Sequence, residues 1–148
     1  MRADFVDERL IAGGTCFVGL MGNRLVASGG WSMDAPRFAR TIGAVAVDGD
    51  PVPTVRAMFV DPVCAGHGLG RRMLEHVEAS IAAAGWRRAV LIASTMGIGF
   101  YARQGWRPLA EIALDVGGHA IPSTEIDKIV PTGAHAMPRA TSTGARAA

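Results

Sequence analysis

The residues whose types and spacing can do chemistry fall into two stretches. Gly66, Gly68 and Gly70 alternate directly ahead of Arg71 and Arg72. A glycine-rich connection that opens into a helix leaves several backbone N–H groups unpaired and convergent. It also lets a ligand approach the main chain closely, and the helix dipole favours negative charge, so the pattern suits a phosphate. Tyr101 is the only tyrosine in the chain. A phenol ordinarily titrates near pH ~10, so it is protonated at neutral pH and can donate to a leaving group. Each reading has a plain counterpart, namely a tight loop that holds nothing and a packed aromatic with its hydroxyl at the surface.

A base is not singled out. Asp34, Glu111 and His119 each stand alone, as solvated rim residues usually do, and a water relay ordered by backbone carbonyls and Ser94 would serve as well. His67 lies inside the glycine turn with a side chain expected to point outward. Cys64, just before it, reads as a small packed thiol rather than a nucleophile. Cys16 and Cys64 are far apart in no ligand-like spacing, and no metal is expected.

The elements that must position these groups can be read from the pattern. Thr54–Val60 (TVRAMFV) is β-branched or apolar, as a buried strand requires, and Asp61-Pro62 ends it. After the glycine turn, Leu69, Met73, Val77, Ile81 and Ala84 fall on one helical stripe, with Arg72, Glu75 and Glu78 off it, and Gly85 closes the helix. Arg88–Ala93 (RAVLIA) is a short apolar strand, so strand, turn, helix and strand make a βαβ crossover with parallel strands. Thr95–Gln104 predicts a second short helix closed by Gly105. Upstream, 2–12 carries helical spacing, and Thr15–Leu20 with Arg24–Trp31 reads as a hairpin about Met21-Gly22-Asn23. Ser32–Arg40 reads as a loop, and Gly43–Val47 as an apolar run broken by Asp48-Gly49-Asp50-Pro51. Leu109–Val116 and His119–Val130 predict a closing hairpin. From Pro131 the chain is rich in Ala, Thr, Gly and Pro, so 131–148 reads as a disordered tail behind one domain at 1–130.

The 148 residues allow one domain with a real core, and 49% apolar with 19% charged is a globular composition. A formal charge of +2, without a dense basic run, argues against a nucleic-acid partner. Charges or glycines interrupt every apolar run short of a membrane span. The start, MRADFVDERL, is too acidic for a signal peptide, so a cytoplasmic protein with free thiols and no membrane partner is expected.

Over Thr15–Val130 the chain resembles the GCN5-related N-acetyltransferases. Val60-Asp61-Pro62 followed by Ala65-Gly66-His67-Gly68-Leu69-Gly70 is similar to that family's pyrophosphate loop. Ser94 through Trp106, with FYARQGW at its end, is similar to its second motif, and Gly29-Gly30-Trp31 recurs in some of its hairpins. The resemblance implies an α/β (α+β) fold, with a mixed, mostly antiparallel sheet, a central parallel βαβ and flanking helices. It implies acetyl-CoA as acyl donor, held by Met58, Phe59 and Val60 along the strand. Ala65, Gly66, His67, Gly68, Leu69, Gly70 and Arg71 would hold it at the turn, and Ser94 and Tyr101 beyond the next strand. It makes Tyr101 the general acid in direct acetyl transfer to a primary amine. Trp31, Ser32 and Phe38 are placed beside a small-molecule or peptide acceptor, with a core position equally open for Trp31, and the family's assemblies include homodimers.

The chain departs from the family in three places. Ala65 stands where the family has Arg or Gln, and Ser94 where it often has Asn. The family's first strand and helices have only a short helical piece as counterpart ahead of Thr15. That implies either a start inside a longer protein or an acceptor site short of one wall. A coenzyme-binding module that has lost catalysis is therefore the second function to weigh.

Overall fold

The computed structural model describes residues 8–33, 40–42 and 51–132. A short helix α1 (Glu8–Ala12) leads into β1 (Cys16–Met21) and β2 (Arg24–Ser32), followed by a three-residue strand β3 (Arg40–Ile42). Then come β4 (Thr54–Val60), a 3-10 turn at Pro62–Cys64, α2 (Leu69–Ala83), β5 (Arg88–Ser94) and α3 (Ile98–Arg103). β6 (Arg107–Val116) and β7 (His119–Ile129) close the order. The strands form one seven-stranded sheet in the order β1-β2-β4-β5-β7-β6-β3. The sheet is mixed and mostly antiparallel, with β4 and β5 as its parallel pair among the described residues. That is the fold class the sequence implies. Asp34, Phe38, Gly43–Val47 and 133–148 lie outside the described residues.

The core lies between α2 and one face of the sheet. Met73, Leu74, Val77 and Ile81 of α2 are buried against Ala27, Val55, Leu91 and Ile126. Burying each such Leu, Ile or Val side chain contributes roughly 1.5–3 kcal/mol. The helix can lie this close because β2 presents Gly29: a Cβ there would come within 2.7 Å of Met58 Sδ and 2.8 Å of Met73 Cγ. On the other face Leu10 of α1 is buried and lies over Gly30.

Some local expectations are corrected. α3 begins at Ile98 rather than Thr95. Ser94–Gly97 forms a turn instead, with the Gly97 N–H donating to the Ser94 carbonyl (2.9 Å) and lying 3.2 Å from Ser94 Oγ. Glu78, placed off the apolar stripe by its polarity, is buried at 4% exposure. Its carboxylate accepts from the Trp106 indole N–H at 2.9 Å and from Lys128 Nζ at 2.9 and 2.8 Å. Of the two positions open to Trp31, acceptor wall and core, the structure shows the core. Its side chain lies on the α2 face, in the same core cluster as Val77 and Ile81, and its indole N–H donates to Ser80 Oγ at 2.9 Å.

Candidate active site

The parallel pair is unlike its neighbours. β5 is matched to β7 along its whole length from Arg88 to Ser94, whereas β4 meets β5 only at Thr54↔Val90. A hydrogen bond from the Val90 N–H to the Pro53 carbonyl (2.9 Å) holds the closed end. Beyond it the strands part, and a groove of about 540 Å³ opens between them. Residues 55–60 of β4 line one side and 91–94 of β5 the other, with Gly70, Gly97, Phe100 and Tyr101 from the helix side.

β4 is also distorted. The pairs Ser28↔Phe59 and Gly30↔Arg56 set three steps of β4 against two of β2, which is a β-bulge. Ala57 within it has φ +55, the one positive φ outside glycine among the described residues. Ser28 Oγ donates to the Ala57 carbonyl at 2.8 Å and braces this conformation. Such strain in a non-glycine residue is characteristic of functional sites.

At the open end of the groove stands the start of α2. The Asp61 carboxylate accepts from the Val63 N–H at 3.0 Å and from the Arg24 guanidinium. The backbone hydrogen bond first, then Arg24, holds that carboxyl below its ordinary value. Gly66 and Gly68 both have φ +79. No side chain caps α2, and the Arg72 N–H is the first to bond back, to the Gly68 carbonyl at 3.0 Å. The amides of the first helical turn therefore face outward without an intrahelical acceptor, which is an anion-binding arrangement. His67 is exposed, with Nδ1 3.0 Å from the Ala65 carbonyl. Arg71 is exposed as well and turned along the helix, its Nε donating to Glu75 at 2.8 Å.

Tyr101 is half-buried against Phe100 and Trp106, both edge-on, with centroids 5.0 and 6.2 Å away. Burial pushes its phenol above the ordinary value, which keeps it protonated. Met58, Phe59, Val60, Gly70, Ser94 and Tyr101, all singled out in the sequence, thus meet in one groove. Ala65, Gly66, His67, Gly68, Leu69 and Arg71 form the adjoining loop and helix start. Ser32 sits half-buried at the end of β2 opposite Thr54. Sequence reasoning missed Arg56, Phe100 and the bent Ala57. A charged residue inside an otherwise apolar strand was the available signal for Arg56. Nothing in the composition marks Ala57.

The lone rim residues Glu111 and His119 are exposed, and the free thiols of Cys16 and Cys64 are half-buried outside the groove lining. Among the described residues no cluster of His, Cys, Asp or Glu could hold a metal ion. No helix there is long and apolar enough to cross a membrane.

With this geometry in place, comparison with known proteins is specific. The family model for the acetyltransferase (GNAT) domain matches residues 12–108. An uncharacterized N-acetyltransferase ycf52-like protein of Prochlorococcus marinus is 38% identical over 86 residues, 57% of this chain. The chain matches about half (47%) of that relative's length. Among solved structures, an aminoglycoside 6'-N-acetyltransferase complexed with coenzyme A superposes with a TM-score of 0.64 at 11% identity. That match covers 86% of this chain and 79% of the other. A ribosomal-protein-alanine N-acetyltransferase from Brucella melitensis gives 0.62 at 14% identity, covering 82% and 73%. At such low identity these structures establish a shared fold.

Proposed function

The chain belongs to the GNAT acetyltransferase family, and from that premise we propose that it transfers an acetyl group from acetyl-CoA to a primary amine by direct attack. The observation that carries this reading is the parallel pair joined at one rung, with Tyr101 against the resulting groove. The chain's residues fit the donor. Past Thr54, the β5-facing edge of β4 has no strand partner among the described residues, so the main chain of Met58, Phe59 and Val60 can pair with the amide-bearing arm of the coenzyme as a strand would. The uncapped amides from Gly66 to Gly70 suit its diphosphate. Arg71 adds positive charge nearby, although Glu75 already engages it. Ala65 supplies main chain only.

Tyr101 then donates its proton to the departing thiolate. Its raised pKa keeps that proton in place until the C–S bond breaks. Neither cysteine lines the groove, so transfer straight from thioester to amine needs no protein-bound intermediate. A small molecule or a peptide can supply the amine.

The test is to incubate the protein with acetyl-CoA and a panel of primary amines while following free thiol. Turnover is expected, and Tyr101→Phe should lower kcat on the order of 100-fold with coenzyme affinity unchanged. Tight coenzyme binding without thiol release on any amine would instead mean a binding module.

A further inference from the structure

We propose that Glu125 is the acceptor-side base of the groove, receiving the amine as an ammonium ion on the sheet face away from α2 and taking its proton. This rests on the transferase reading above and adds to it where the acceptor enters and in what charge state.

The groove passes through the sheet. Ala89, Leu91 and Ala93 of β5 belong to the core packed on α2, so Val90, Ile92 and Ser94 point to the opposite face. On β4, Val55 likewise faces α2 and Arg56 the other way. Yet Leu91 and Ala93 line the groove together with Arg56, Ile92 and Ser94. The split is therefore open to both faces. Among the described residues α2, α3 and Tyr101 stand at the groove on one face, while on the other α1 lies away from it over β2, which leaves that side of the groove for the acceptor.

Glu125 stands on that other face. β7 pairs it directly with Ile92 of β5, so the two side chains share a face with Cβ atoms roughly 5 Å apart. Glu125 is only 4% exposed. It has no hydrogen bond or ion pair among the described residues. Its neighbour Asp127 takes Arg88 Nε at 2.8 Å, which commits that cation, while the exposed Arg107 stands 3.8 Å from Asp127 Oδ1, an oxygen without a hydrogen bond. The Glu125 oxygens keep some contact with solvent, since Asp127 Oδ1 is the fully buried side-chain oxygen left without a partner among the described residues. A cation arriving there would complete a carboxylate that water otherwise serves.

Arg56 of β4 and Arg88 of β5 share this face, Arg107 of β6 stands opposite Asp127, and Asp127 lies two residues from Glu125 along its own strand. Burial chiefly, with Asp127 adding and Arg88 opposing, raises the Glu125 carboxyl above its ordinary value and makes it a better proton acceptor.

The protons balance. An R–NH3+ acceptor gives one proton to the Glu125 carboxylate, and the freed nitrogen lone pair forms the C–N bond at the thioester carbon. The C–S bond breaks, and the thiolate takes the Tyr101 proton. The nitrogen's surplus proton restores Tyr101. The amide, the free thiol and a protonated Glu125 remain, and Glu125 then releases its proton to water.

The experiment compares wild type with Glu125→Gln and Glu125→Asp. Acetyl-CoA binding is measured by calorimetry, and turnover with n-butylamine, benzylamine, spermidine and an alanine-initiated tripeptide across pH. The proposal expects unchanged acetyl-CoA affinity and a kcat/KM loss on the order of 100-fold in the Gln variant. It also expects the acid limb of the pH profile to vanish in the Gln variant and partial rescue in Asp. A Gln variant within about threefold of wild type with the acid limb intact overturns it. Should none of the four amines turn over, glutamate carboxyl carbons are followed by NMR with coenzyme A bound. A Glu125 resonance that moves when n-butylammonium is added supports the role, and one that does not move overturns it. Wild-type protein that binds no acetyl-CoA overturns the transferase reading as well, and is told apart from a failure confined to Glu125 by the binding measurement alone.

Discussion

Glu78 on α2 and Glu125 on β7 are both 4% exposed, yet the fold surrounds them in opposite ways. Glu78 receives an indole N–H and a lysine ammonium, all within 2.9 Å. Glu125 receives no donor among the described residues, and its carboxyl is raised. One strand serves both environments, because Lys128 reaches the α2 face while Glu125, three residues earlier, faces the other way. The difference separates an acid that holds helix to sheet from one kept ready for a cation. Burial alone cannot tell these roles apart, but the count of donors can.

The largest effect should come from Glu78. Glu78→Ala strands the Lys128 ammonium and the Trp106 indole in the core, and removing one partner of a buried pair costs about 3–5 kcal/mol. Urea denaturation of the variant measures it. Glu78→Gln combined with Lys128→Met should recover part of that loss, since no unpaired charge is left behind. If Glu78→Ala costs no more stability than Glu125→Gln, the contrast between the two sites collapses.

Much of this architecture is legible in the sequence, because its elements carry strong periods. The apolar stripe of α2, the βαβ crossover and both hairpins follow from spacing and turn residues. What is not legible depends on partners distant in the chain. Glu78 counts as polar on a helical wheel, which cannot see Trp106 and Lys128 arriving from elsewhere. Trp31 ends a Gly-Gly-Trp run that resembles a pocket wall, but alternation along β2 turns it beneath α2. The groove arises from pairing that is not made between β4 and β5, and composition does not record missing pairing. Glu125 hides in the alternation Ser123, Glu125, Asp127, a polar row on a strand read only as a hairpin partner.

A smaller effect of backbone origin is expected at the anion-binding turn. Gly68 has φ +79 and nothing within 4 Å of an added Cβ, so Gly68→Ala meets strain and no clash. Holding alanine in a left-handed conformation costs roughly 1–2 kcal/mol. The Tm should fall a few degrees and coenzyme affinity should weaken, with kcat at saturation little changed. Loss of kcat alone would mean that the turn serves the chemical step rather than the donor.

Glu125→Gln should differ from both in sign. With the folded carboxyl raised, wild type and variant match in stability at pH well below the unfolded value, where both states are protonated. As pH rises through that value the unfolded chain releases its proton first, so wild-type stability falls below the variant's. The gap stops growing above the folded value. Thermal unfolding at about pH 4 and about pH 8 should thus show the Gln variant gaining relative to wild type with rising pH. A variant that loses stability at the higher pH would mean that Glu125 has a donor after all.

The smallest effect belongs to Asp61, which lies at the surface with a charged partner that stays in water. It accepts from the Val63 N–H and from Arg24, but Arg24 is 59% exposed, so water and salt weaken the pair. Its carboxyl is held below the ordinary value, chiefly by the backbone N–H and then by Arg24. The stability it contributes is present above the unfolded value and is lost as pH falls through the folded one. Asp61→Asn should therefore lower the Tm slightly at neutral pH and not at all in strong acid, with the neutral difference shrinking as salt is added. That result would fix the contribution of a pair whose cation stays in water and leave Glu78's larger cost to the burial of both its partners. A loss at Asp61 as large as at Glu78, insensitive to salt, would mean that the partners alone set the cost.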